Sequence, residues 1–111
     1  MSKYPAEFLH GTLETLILKT LTGGPMHGYA IGKWIETATD CGLELEEGTL
    51  YPALYRMEKR GWLDAEWGTS ELGRRAKFYR LTRTGRHQLA SHTAAWTTFS
   101  AAINRALVKA V

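Results

Sequence analysis

Between Gly68 and Gln88 six cations, Arg74, Arg75, Lys77, Arg80, Arg83 and Arg86, stand against one acid, Glu71. That stretch carries +5 of a chain whose formal total is +3, so the remaining residues sum to −2. Charge gathered in this way on an otherwise near-neutral chain suits a polyanion such as nucleic acid. A solvated loop is the competing reading of the same residues. A second set lies upstream, in Glu47-Gly48-Thr49-Leu50-Tyr51-Pro52-Ala53-Leu54 and on to Arg60. On a helix, at about 100° per residue, Leu50, Leu54 and Met57 share one face. Pro52, Arg56 and Lys59 then lie opposite, with Thr49 and Tyr55 flanking them. Thr49 and Arg56 can hydrogen-bond bases or phosphates, and Pro52 can meet a thymine methyl. Tyr51 and Tyr55 can offer hydroxyls to phosphates, with packing at the edge of the core as the alternative. The start of this helix would also present free backbone N–H groups to a phosphate.

Other chemistries find little support. His10, His27, His87 and His92 have no metal-ligand spacing with Cys41 or with the acids, and read as surface or capping residues. There is no glycine-rich phosphate loop, nucleophile motif or carboxylate pair, so neither enzyme nor cofactor is expected. Glu44, Glu46 and Glu47 oppose a polyanion contact unless they point away from it or sit at a helix N-terminus, where the dipole favours them.

The elements that must position these residues follow from periodicity. Leu9, Leu13, Leu16, Ile17 and Leu21 form a helical stripe that Gly23-Gly24-Pro25 stops. A second helix starts near Gly28 with Tyr29, Ile31, Trp34 and Ile35, and a brief extended stretch, Leu43-Glu44-Leu45, follows Thr39-Asp40-Cys41-Gly42. The third helix begins around Gly48-Thr49, has Pro52 in its first turn, and ends at a left-handed Gly61. Trp62 to Trp67 alternates as a strand, with Leu63, Ala65 and Trp67 on one face, and Lys77 to Leu81 returns. The turn between them spans Gly68 to Arg75, with Arg74 and Arg75 at its tip and Lys77 projecting from the returning strand. Thr82 caps a long helix running to about Lys109.

This order predicts a mainly helical fold with a small β-hairpin: a winged helix-turn-helix over residues 1–82 and a C-terminal dimerisation helix over 83–111, forming one continuous domain. Leu89, Trp96, Ile103 and Ala110 recur every seven residues, with His92, Phe99 and Ala106 three further on. Leu89, Trp96, Phe99, Ile103 and Leu107 are therefore the expected dimer contacts, and two-fold symmetry would match a palindromic duplex. Packing on its own domain is the other use for that seam.

The length, 111 residues with 44% hydrophobic and 23% charged, fits a single globular domain. The single Cys41 points to a reducing compartment, Met1-Ser2-Lys3-Tyr4-Pro5 lacks the plan of a signal peptide, and no apolar run is long enough for a membrane span. A cytoplasmic location without membrane association is expected.

Three runs carry a family resemblance: Leu13-Glu14-Thr15-Leu16-Ile17-Leu18, Gly24-Pro25-Met26-His27-Gly28-Tyr29 and Glu47-Gly48-Thr49-Leu50-Tyr51-Pro52-Ala53-Leu54. Arg56-Met57-Glu58-Lys59-Arg60-Gly61, Arg75-Ala76-Lys77-Phe78-Tyr79-Arg80-Leu81-Thr82 and Gly85 extend it. In order and spacing these resemble the PadR family of bacterial regulators, over about three-quarters of the chain. The resemblance implies a homodimeric winged-helix regulator, usually a repressor, with dimer contacts through its first and last helices. The single terminal helix resembles the short subgroup. The family includes sensors of phenolic acids and drugs, and in some members a tryptophan on the last helix contacts planar ligands. That makes Trp96 a candidate contact for a small aromatic effector, with simple packing as its other role. Independently of the family, Gly28 allows a close approach to a neighbouring helix, Gly48 opens the third helix with little steric cost, and Tyr29 can pack its ring while offering its hydroxyl to a phosphate. The expected partners are double-stranded DNA and a second copy of the chain. A winged-helix module that binds protein is the alternative, favoured by the Glu44–Glu47 acids.

Overall fold

The computed structural model describes residues 6–9 and 11–111. The expectations for Met1–Pro5 and for His10 lie outside the described residues. A 3-10 turn, Ala6–Leu9, precedes helix α1, Leu13–Thr20. The expected single helix from Leu9 to Leu21 is thus shorter. Gly11 between the two takes φ +79°, a left-handed conformation through which a right-handed helix does not run. A 3-10 turn, Leu21–Gly23, ends the segment before Pro25.

Strand β1, Met26–His27, follows; two residues are too few to show a period in the sequence. Helix α2, Gly28–Ala38, is capped by the His27 side chain, whose Nδ1 accepts from the Ala30 N–H at 3.3 Å. Asp40 and Cys41 both take positive φ, +50° and +61°, as the chain leaves α2. Residues 42–46 carry no regular structure, so the expected extended stretch there does not join the sheet. Helix α3 runs from Glu47 to Lys59. Because it starts at Glu47, Pro52 lies in the second turn and not the first, leaving the Gly48 carbonyl without its usual i+4 donor. That defect costs about 3 kcal/mol in a helix interior. Burying Leu50, Leu54 and Met57 contributes roughly 1.5–3 kcal/mol each and outweighs it. The helix closes as expected: Gly61 has φ +78°, its N–H bonds the Glu58 carbonyl, and the Trp62 N–H bonds that of Met57.

Strands β2, Leu63–Thr69, and β3, Arg75–Leu81, form an antiparallel hairpin in the register Leu63↔Leu81 to Thr69↔Arg75. Strand β1 pairs on the other edge of β3, so the sheet has three strands in the order β1-β3-β2. The turn is tighter than expected, since Thr69 and Arg75 already pair. Helix α4, Arg83–Leu107, is capped by Thr82, whose Oγ1 accepts from the Gly85 N–H at 3.0 Å. The core gathers Leu13, Ile17 and Leu18 of α1, Ile31 and Ile35 of α2, Leu50, Ala53, Leu54 and Met57 of α3, and Leu63, Tyr79 and Leu81 of the sheet. The result is a mostly helical winged-helix fold, with α4 packed on the domain near its start, through buried Gly85 and half-buried Leu89 and His92.

Candidate nucleic-acid interface

The buried edge of α3 fixes what its other side presents. With Leu50, Ala53, Leu54 and Met57 in the core, Thr49, Pro52, Tyr55, Arg56 and Lys59 are all exposed. Arg56 sits toward α1, 3.8 Å from the Glu14 carboxylate, which also receives the Arg60 guanidinium at 3.2 Å. The Lys59 ammonium lies 5.6 Å from the centre of the Tyr55 ring. At the helix start the N–H groups of Thr49 and Leu50 both go to the Glu46 carbonyl, and the exposed Glu46 and Glu47 flank the opening. A phosphate there meets two carboxylates and fewer free donors than the sequence suggested. The acids do lie at a helix N-terminus, where the dipole favours them.

Along the other edge of α3 the hairpin forms a cleft of about 660 Å³, bordered by Tyr29, Tyr51, Trp67, Arg74, Arg75 and Lys77. The Tyr51 ring lies on Gly28 at the start of α2. Partial burial, with the nearby Glu47 carboxylate, raises the Tyr51 hydroxyl above the ordinary tyrosine range. Burial likewise raises Tyr79. Arg75 stacks its guanidinium 4.5 Å from the centre of the Trp67 ring. Lys77 donates from Nζ to Glu58 Oε1 of α3 at 2.9 Å, and this bond holds its ammonium above the usual lysine range. Exposed Arg74 occupies the turn, its N–H bonded to Ser70 Oγ.

Five of the expected contacts, Tyr29, Tyr51, Arg74, Arg75 and Lys77, therefore line one cleft, while Thr49, Pro52, Tyr55, Arg56 and Lys59 run along the open side of α3. Two participants were not expected. Trp67 reads as inward by alternation, yet it is 57% exposed because the hairpin has outrun the core at that point. Glu58 carries no sequence signal, since its partner lies on a different element.

A separate apolar stripe runs along α4: Trp96 is 51% exposed, Phe99 59%, Ile103 43% and Leu107 76%. Leu89 differs, packing on its own core. Between the stripe and α1 opens a groove of about 690 Å³ bordered by Phe8, Leu16, Leu43, Trp96, Phe99 and Ile103. His92 is tied inward, edge-on to Trp62 at 5.5 Å and 3.3 Å from Thr15 Oγ1. Among the described residues no group of three or more His, Cys, Asp or Glu could hold a metal ion, and no helix is long and apolar enough to cross a membrane.

Comparison with known proteins accords with this geometry. The profile of the transcriptional regulator PadR-like family matches residues 17–91. A transcriptional regulator from Clostridium thermocellum superposes with a TM-score of 0.83 at 33% identity, covering 94% of this chain and 100% of that one. A PadR-like transcriptional regulator from Bacillus cereus gives 0.81 at 28% identity, covering 95% and 100%. An uncharacterized protein of Lysinibacillus sphaericus is 29% identical over 91 residues, 82% of this chain and 84% of its own length. The chain belongs to the PadR-like family of transcriptional regulators, DNA-binding proteins and not enzymes.

Proposed function

We propose that this regulator is a homodimeric repressor acting on an inverted-repeat operator. Residues 1–82 are the DNA-binding unit and 83–111 the dimerisation helix. The carrying observation is the cleft between α3 and the hairpin, where Trp67, Arg74 and Arg75 stand beside Tyr29 and Tyr51. Thr49, Pro52, Arg56 and Lys59 on the open side of α3 face the major groove, and Tyr29, Tyr51 and Tyr55 bond flanking phosphates. Arg74 and Arg75 reach the adjacent phosphate run or minor groove. A gel-shift titration tests this with a duplex carrying an inverted repeat from upstream of the protein's own gene. That duplex should bind far more tightly than a random-sequence duplex at physiological salt; equal affinity would sink the reading.

Dimerisation is supported by the α4 stripe. Trp96, Phe99, Ile103 and Leu107 are only partly covered by their own domain, and a second copy covers the rest symmetrically. The groove bordered by Trp96, Phe99 and Leu16 is wide and apolar enough for a planar aromatic, and supports an effector that releases the operator. Quenching of tryptophan fluorescence by planar aromatics, lost in Trp96→Ala, is the expected signature. The single exposed thiol of Cys41 suits a cytoplasmic setting.

A further inference from the structure

Lys77 is the first residue on the inner face of β3 beyond Tyr79, where the strand leaves the core. Its cross-strand partner Trp67 is exposed, and so is Arg75 beyond it on the projecting hairpin. The Lys77 ammonium is bonded at 2.9 Å to Glu58 on α3 and lies 5.6 Å from the centre of the buried Tyr79 ring. Both charged side chains of the pair are about one-third exposed, at 32% and 31%. The bond thus joins the helix to the hairpin at the point where the hairpin's direction is set.

We propose that Glu58 and Lys77 form a brace fixing the angle between α3 and the projecting hairpin, and that Lys77 serves DNA binding as a positioning residue acting through Glu58. This rests on the reading of α3 and the hairpin as the DNA-contacting surface, and gives Lys77 a different task from the phosphate contact its charge suggests. An ammonium already neutralised by a carboxylate releases few counterions on binding DNA. An unbraced hairpin samples other angles, so α3 and Arg74–Arg75 engage neighbouring grooves together less often.

The two roles predict opposite signs. On electrostatics alone, removing the Glu58 charge strengthens binding to a polyanion. If Glu58 is a brace, removing it weakens binding. The test titrates salt against binding of a random-sequence duplex by wild type, Glu58→Gln, Lys77→Ala, the two combined, Lys77→Arg and the Arg74→Ala/Arg75→Ala double variant, with a thermal melt of each. Glu58→Gln and Lys77→Ala should each weaken binding about fivefold, the scale of a partly exposed ion pair. Their combination should be no worse than either, the slope of log K against log salt should stay at the wild-type value, and Lys77→Arg should restore affinity. Tighter binding by Glu58→Gln, or a slope lowered by about 0.9 in Lys77→Ala, overturns the brace and makes Lys77 a phosphate contact. A lowered melting temperature with unchanged affinity reduces the pair to a structural tie and overturns it too. An unchanged slope in the arginine double variant removes the hairpin from the DNA surface altogether, and the brace with it.

Discussion

The Tyr51 ring rests on Gly28 so closely that a β-carbon there would come within 2.6 Å of the ring and 2.7 Å of its hydroxyl oxygen. The two residues belong to the His-Gly-Tyr run at the start of α2 and the Gly-Thr-Leu-Tyr-Pro run of α3. Their contact sets the position of the tyrosine at the mouth of the cleft. Gly28→Ala should swing the Tyr51 ring outward, since its far end is partly exposed and free to yield. The melting temperature should change little, because better helix propensity offsets the crowding. DNA affinity should fall severalfold, and adding Tyr51→Ala should cause no further loss. Binding measured on the two single variants and the double checks this.

Gly85 presents the contrasting case. A β-carbon there would overlap the backbone carbonyl oxygen of Trp62, which also accepts from the Thr82 N–H and cannot move without opening the cap of α4. Gly85→Ala should destabilise the fold by about 2–3 kcal/mol, a drop in melting temperature on the order of 10 °C. Thermal denaturation followed by circular dichroism reads it out directly.

The limits of sequence reading show at residues such as these. Periodicity suffices for α2, α3, the hairpin and the Thr82 cap, because each buries a repeating apolar face or ends on a residue with a local backbone reason. It overran α1, where one left-handed glycine, Gly11, cuts the stripe short, and it missed β1, which exists only through pairing with β3. At the interface, outward residues of α3 were legible from the 3.6-residue repeat. The exposure of Trp67 and the Glu58–Lys77 bond were not, since both depend on how far the hairpin extends past the core and what α3 sets beside it.

Alkaline pH should weaken the fold in a defined direction. Tyr51 and Tyr79 are raised chiefly by burial, and Lys77 chiefly by its bond to Glu58. A raised value means that the folded state holds the proton more tightly than the unfolded chain. The stability this adds is complete below the ordinary tyrosine and lysine values, near pH 10, and is lost as pH rises through the raised ones. Melting temperature should therefore show no loss from these groups between neutral pH and about pH 9.5 and fall above it. Tyr79→Phe should blunt the fall, and a melting series across that window is the check.

The exposed stripe on α4 makes a prediction about assembly alone. Ile103→Asp with Leu107→Asp removes apolar surface that is partly open to solvent at Ile103 and largely open at Leu107 in the single chain. The domain should melt as before when concentration effects are allowed for, while sedimentation shifts from dimer to monomer. Operator affinity should fall with it, because two half-sites no longer bind as one unit.

In the proposed repressor, α3 and the hairpin of two copies read one inverted repeat. Sedimentation of the protein with a duplex containing the inverted repeat upstream of its own gene tests this, with a scrambled duplex of equal length alongside. Two chains should bind one duplex, with an affinity at least about a thousandfold above the scrambled control. One chain per duplex, or equal affinity for both sequences, would contradict it.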